Sequence, residues 1–464
     1  MNKHSKSILR VFDEILNENL CRDISYEHNF IQRSSSKLKG HEFIKVMIIP
    51  SEGVSDDSLS GLCQRIKGYN SKATLSAQAL CERINSNGAA SLIKDVFFRI
   101  LFHTRKTMVV QSPALMRALG KFNSVMLEDS TVMELNEKIY KYKGTNRSYA
   151  NGKNSQIKID LIHEVLSNRI IDVQLESGKV PDQAFAHRIL KFIQEGDLVI
   201  RDLGYFVLPA LKAILVAGAY FLSRLLPNIK VYLHQDDIKA VDLAKYVSKK
   251  YKKAPFIELE VFLGELKVPA RLVLFRAPKE VVTIRHSNAK KRIRDTGRIM
   301  SRGKQFAMNF SAFVTNVPAE MLSAEMVGTV YQLRWEIELI FKQWKSQLKM
   351  DVLEGIHSNR IECLIWGRLC MVILLALISQ EIGKVAEQLR KELSTVKLIK
   401  YIMRENKFGM AVQSYKIEKY IEEMKKDVSR MLCKDKRARP TMRERIIQGY
   451  GYYGLQHVGL QHVA

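Results

Sequence analysis

VYQLRWEIELIFKQWKSQLK, from Val330 to Lys349, is the stretch from which the rest of the chain can be read. It holds no Gly or Pro and is rich in helix formers, so it is predicted to be one long helix. Arg334, Glu338 and Lys345 lie 3, 7 and 14 residues after Tyr331. At about 100° per residue, the four positions fall within an arc of roughly 60°. One face therefore carries an aromatic ring, a guanidinium, a carboxylate and an ammonium. Leu333, Ile337, Ile340 and Phe341 supply apolar surface to seat the helix on a core. A solvated helix with Arg334 and Glu338 as an ordinary i,i+4 pair is the simpler account of the same residues.

The chain around it has 464 residues, which predicts two to four domains. Its 46% hydrophobic content is that of a globular protein. Lys and Arg number 74 against 48 Asp and Glu, for a net charge of +26. Such an excess, spread over several clusters, favours a polyanionic partner, with nucleic acid the commonest. The cysteines at 21, 63, 81, 363, 370 and 433 form no CxxC or Cys/His ligand spacing. A zinc module is not expected, and a reduced cytoplasm is. Acidic residues interrupt the N-terminus where a signal peptide needs its apolar run. The longest uninterrupted apolar run, Leu369 to Ile378, is ten residues, too short to span a bilayer. The expectation is a soluble protein with no membrane partner.

Residues 1–118 read as helical, with segments Ser58–Ile66, Ser76–Ile84 and Leu92–Phe102 spaced in threes and fours. The first two, separated by a loop, suit a helix-turn-helix unit or a plain bundle equally. From about 122 the pattern becomes strand-like. Ser124–Glu128 is a short strand ending at Asp129, and Ile157–Glu164 and Ile170–Leu175 follow. Asp182–Gln194 is predicted as a helix, Asp197–Arg201 as a fourth strand ending at Asp202, and Phe206–Ala217 as a helix. This succession matches the opening of an RNase H-like α/β fold, a mixed sheet flanked by helices. Carboxylates just past strand ends are well placed for chemistry. Residues 218–306 read as a β-rich insertion between the fourth and fifth strands, with Ala307–Asn316 as the returning strand. Within the insertion, Lys290, Lys291, Arg292, Arg294 and Arg298 form a basic, flexible edge suited to phosphates. Asn359–Gln380 is an apolar core helix, and 381–464 is helical and basic, ending in a short GLQHV duplication.

The spacing Tyr-x2-Arg-x3-Glu-x6-Lys resembles the signature of a family of bacterial insertion-sequence transposases. These are cut-and-paste enzymes with an Asp-Asp-Glu metal site on an RNase H-like domain. Asp129-Ser-Thr, Asp202-Leu-Gly-Tyr and Val314-Thr-Asn resemble further blocks of that family, over about 122–380. Leu203 departs from the polar or basic residue usual after the second aspartate, which bears on a neighbouring contact rather than on Asp202 itself.

The resemblance implies that Asp129, Asp202 and Glu338 hold two Mg²⁺ ions, with Mn²⁺ as a substitute. Such ions take hard oxygen ligands and activate water at a phosphodiester. It implies that Arg334 and Lys345 grip phosphates of the transposon end and that Tyr331 contacts the terminal phosphate or a displaced base. It gives 1–118 the reading of terminal inverted repeats. The catalytic domain becomes 119–217 with 307–380, interrupted by 218–306, and 381–464 supplies contacts for a homodimer on double-stranded DNA. Each aspartate alone also reads as a turn residue. Asp160 and Asp172 are rival first aspartates, placed within strands. The competing functions are a repurposed, non-catalytic DNA-binding protein and a stand-alone metal nuclease.

Overall fold

A computed structural model describes residues 6–33, 35–49, 58–105, 113–144, 155–251, 254, 256–297, 300–403, 407–413, 416–435 and 440–452. Arg298 and the GLQHV duplication lie outside them. Among the described residues, nine strands form one sheet: β1 (Val125–Leu135), β2 (Ser155–Glu164), β3 (Arg169–Ser177), β4 (Leu198–Arg201), β5 (Tyr220–Arg224), β6 (Val231–Tyr232), β7 (Phe256–Leu263), β8 (Val268–Arg276) and β9 (Phe310–Thr315). Their order is β3-β2-β1-β4-β5-β9-β8-β7-β6. β4 runs parallel to both β1 and β5, and the remaining neighbours pair antiparallel. The mixed sheet flanked by helices is the expected α/β architecture.

Alternation along the strands divides the interior. Val125, Leu127, Leu198 and Ile200 join a core shared with the N-terminal, late and C-terminal helices. Met126, Val199 and Phe221 join a second core on the other face, with Phe206 and Leu211. By the same alternation, Asp129 and Asp202 share the face of Leu127 and Ile200, whereas Glu128 and Arg201 share the face of Met126 and Val199.

Several elements differ from their sequence-based expectation. β1 does not end before Asp129 but continues to Leu135, because Ser130–Leu135 pairs with β2 as far as Leu135 opposite Ser155. The parallel partner β4 does stop there, its last register pair being Glu128 with Arg201. Asp129 thus lies inside a strand at the point where its neighbour ends. Tyr220–Arg224 is itself the fifth strand, joined to β4 through the Leu208–Val216 helix. The β-rich segment therefore follows the fifth strand, and β9, β8, β7 and β6 prolong the same sheet. Asp182–Gln194 forms two short 3-10 turns, Asp182–Phe185 and Arg188–Lys191, not a helix. Arg188 is drawn instead towards carboxylates on the sheet.

The basic stretch is helical rather than a loose edge. Lys279–Thr296 has no internal Gly or Pro, and Gly297 ends it at φ 66°. Val330–Lys349 is not one helix. Ala324–Tyr331 and Arg334–Leu348 are separated by Gln332 and Leu333, where i→i+3 hydrogen bonds replace the α pattern, as from Leu333 N–H to the Val330 carbonyl at 3.0 Å. Ser358–Gln388 is longer than expected and, by length and composition alone, suffices to cross a bilayer. Its apolar window is 83% buried against the rest of the protein, as befits a core helix.

Candidate active site

β1, the end of β4 and the Arg334–Leu348 helix bring Asp129, Asp202 and Glu338 around one guanidinium. Arg334 lies 3.3 Å from Asp129, 3.9 Å from Asp202 and 2.5 Å from Glu338. Arg334 and Asp129 are 14% and 18% exposed, so their contact is largely shielded from bulk water, whereas Asp202 and Glu338 remain partly open to it. Tyr331, the last residue of the preceding helix, donates its hydroxyl to Asp202 Oδ1 at 3.3 Å. The break between the two helices sets Tyr331 above one aspartate while Arg334 reaches between both. Lys345 stands further along the helix, donating to the Val132 carbonyl of β1 at 3.1 Å.

The carboxylates are not electrostatically equal. Burial pushes the Asp129 carboxyl up to about 7. The charges of Asp202 and Glu338 add to that rise, while the Ser130 N–H, at 2.8 Å, and Arg334 oppose it. Burial also pushes the Tyr331 phenol well above its usual range, with the Asp202 charge adding to it. Tyr331 is therefore a proton-bearing donor at neutral pH.

An all-oxygen donor set of this kind suits a hard divalent cation. Three carboxylates gathered on one cationic group show that the cleft calls for positive charge. Among the described residues, no group of three His, Cys, Asp or Glu is close enough to hold a metal ion. The Arg334 guanidinium contacts all three carboxylates.

Beneath the aspartates, on the opposite face of β1 and β4, lies a buried charge network that sequence reasoning missed. Glu128 and Arg201 are register partners and pair at 3.1 Å. Arg188 lies 2.8 Å from Asp160, 3.4 Å from Asp172 and 3.9 Å from Glu128. Tyr205, in the turn after Asp202, donates its hydroxyl to Asp160. Burial pushes Glu128 up to about 8 and Asp160 to about 6, against the pull of the arginines. The rival aspartates Asp160 and Asp172 thus belong to this network. The signal was present in the sequence: the two cleft aspartates each follow a charged residue at the end of an apolar run, and those two residues, Glu128 and Arg201, are of opposite sign.

Of the basic residues, Lys290, Lys291, Arg292 and Arg294 are exposed on the Lys279–Thr296 helix. Arg285 on the same helix is internal, donating to the carbonyls of Ala307 and Met308 at 3.2 Å each.

Comparison with known proteins gives concordant relatives. A transposase for insertion sequence element IS231E of Bacillus thuringiensis subsp. finitimus is 26% identical over 422 residues, 86% of each chain. A transposase for insertion sequence element IS1151 of Clostridium perfringens is 26% identical over 453 residues, 92% of each. The Transposase DDE domain family matches residues 120–375, a span that holds every residue of the cleft. Since that match takes in more than half of the sequence, the chain belongs to the family of transposases with a DDE domain.

Proposed function

We infer that this DNA transposase cuts at the ends of an insertion sequence and joins them to target DNA, with Asp129, Asp202 and Glu338 as its metal-binding carboxylates. Transposases of this family bind DNA and generally use divalent metal ions. The observation that carries the residue assignment is the convergence of three carboxylates, from β1, the end of β4 and a separate helix, on one guanidinium. Two Mg²⁺ ions, or Mn²⁺ in their place, neutralise the phosphate and activate the attacking water when bound.

The chain's own residues do the rest. Asp129 must lose its proton for the carboxylates to act together. Arg334, released from them, presents a planar fork to a non-bridging phosphate oxygen of the DNA end. Tyr331 keeps its proton and donates to Asp202 or to the terminal phosphate. Lys345 adds a point charge further along the bound strand. In cleavage, water oxygen bonds to phosphorus as the bond to the 3′ oxygen breaks, leaving a 3′-hydroxyl. In joining, that hydroxyl attacks a target phosphodiester, so one P–O bond replaces another and no covalent enzyme intermediate is needed.

Around this centre, the reading assigns end recognition to residues 1–118. The basic helix, with Lys290, Lys291, Arg292 and Arg294, grips DNA phosphates. A homodimer through 381–464 holds two terminal inverted repeats together on the bacterial nucleoid. The test compares wild type with Glu338→Ala on DNA carrying the ends of the encoding element, with Mg²⁺ and a target plasmid. Wild type is expected to cleave and join, and Glu338→Ala to bind the ends but do neither. Equal cutting by both proteins removes Glu338 from the metal site. Binding without cutting by either favours a repurposed DNA-binding protein, and cutting without joining favours a nuclease.

A further inference from the structure

The last described segment, residues 440–452, crosses both helices that carry the cleft residues. Its short Met442–Ile447 helix is capped by Thr441 and Glu444. Arg443 donates two parallel hydrogen bonds to Glu336, Nε to Oε1 and Nη2 to Oε2, each 2.8 Å. Glu336 lies in the first turn of the Arg334–Leu348 helix, two residues from both Arg334 and Glu338. Further on, the Tyr450 carbonyl accepts from the Thr329 hydroxyl at 2.9 Å, on the preceding helix. Tyr452 then wedges its ring against Gly328, where an added Cβ would fall 2.2 Å from the ring. That ring packs on Phe275 and Phe313 at 4.9 and 5.4 Å, and Phe313 in turn packs on Tyr331 at 5.1 Å. The segment therefore spans the break at Gln332 and Leu333, holding one helix through Glu336 and the other through Thr329 and Gly328.

We propose that residues 440–452 are a strap that sets the angle between the two helices, with Arg443 as a positioning residue acting through Glu336. The break is two residues long and is held by i→i+3 hydrogen bonds, whose geometry is poorer than that of the α pattern, so an outside reference helps to fix the angle between the helices. The half-buried bidentate pair supplies direction as well as attachment. Displacing Arg334 or Glu338 by about 1 Å is enough to cost about 10- to 100-fold in rate. The strap grips the helices at Glu336, Thr329 and Gly328 rather than at the three cleft carboxylates, so DNA affinity is left to other surfaces. The strap rests on the reading of Glu338 as a metal-binding residue, and the test separates the two.

The experiment uses the full chain and a duplex bearing the terminal repeat, with saturating Mg²⁺. Single-turnover cleavage, duplex Kd and Tm are measured for Arg443→Glu, Glu336→Arg, their combination, Gly328→Ala and Glu338→Gln. The single charge reversals are expected to slow cleavage about 10- to 100-fold at nearly unchanged Kd. The double reversal restores the rate. Gly328→Ala, which displaces Tyr452 while leaving the ion pair in place, slows cleavage alike. The strap proposal is overturned if Glu338→Gln is inactive while the reversals and Gly328→Ala cleave like wild type. It is equally overturned if the reversals lose rate only together with Tm and Kd and the swap rescues none of it. Wild-type cleavage by Glu338→Gln overturns the site reading instead, and the strap's role with it.

Discussion

Asp129 and Glu128 are adjacent in sequence and meet opposite fates, because a strand sends them to opposite faces. Asp129 faces Arg334, and burial pushes its carboxyl up to about 7; under the proposed function it exchanges that proton for a metal ion. With a folded value above the unfolded one near 3.9, the native state keeps this proton between roughly pH 4 and 7. The metal-free protein is therefore expected to lose stability from this group as pH rises through that window. Metal loading should run the other way, weakening as pH falls below about 7 and releasing a proton. Calorimetric titration with Mn²⁺ at pH 6 and 8, in buffers of different ionisation enthalpy, reads both effects. Proton release equal at the two pH values would contradict the assignment. Glu128 instead has a fixed guanidinium beside it. Arg201→Met leaves a Glu128 carboxyl that burial keeps protonated near neutral pH and that still has Arg188 3.9 Å away, so it should cost about 1–3 kcal/mol, and replacing both partners by apolar residues should cost less. Urea unfolding of the single and double variants checks the difference.

Among the elements, the strands were legible in the sequence because apolar runs such as VMLE and LVIR have few other uses. Their limits were not. Where β1 ends depends on pairing with β2, and Ser130–Leu135 carries no local mark of that. The Asp182–Gln194 segment has helical spacing, but the buried attraction of Arg188 for Asp160 and Asp172 wins over it. Tyr331, Arg334 and Glu338 were found by spacing despite the break between their helices, since a two-residue step leaves them on one side. The contacts around them, such as that of Arg443 with Glu336, join residues distant in sequence and are invisible to any periodicity. The Lys279–Thr296 helix offers its own test. Changing Lys290, Lys291, Arg292 and Arg294 to Gln should weaken binding to any duplex. The slope of log K against log salt should become shallower by about 0.9 for each phosphate that the helix no longer neutralises. An unchanged slope would place the DNA elsewhere.

At the scale of the whole molecule, regions that read as separate in sequence share one interior. Phe97 of the Asn87–Arg105 helix packs on Trp366 at 5.0 Å, and Gly367 lets the Met47 backbone approach so closely that a Cβ would sit 2.2 Å from its carbonyl oxygen. Helices from both ends of the chain enter the core around Ser358–Gln388. Limited proteolysis is therefore expected to yield no stable fragment of residues 1–118, and that piece expressed alone should show a non-cooperative melt. A sharp, independent transition would show that it folds by itself. The sheet has a further consequence for how copies of this protein meet in solution. One edge is the nine-residue β3, whereas the other tapers to β6, two residues at Val231 and Tyr232. A margin that short offers little backbone for another molecule to pair with, whereas cutting away residues 225–309 to make a minimal enzyme would bare the six-residue flank of β9. The segment between the fifth strand and β9 is thus also a hem against fibril-like stacking, and its removal should be met first as insolubility.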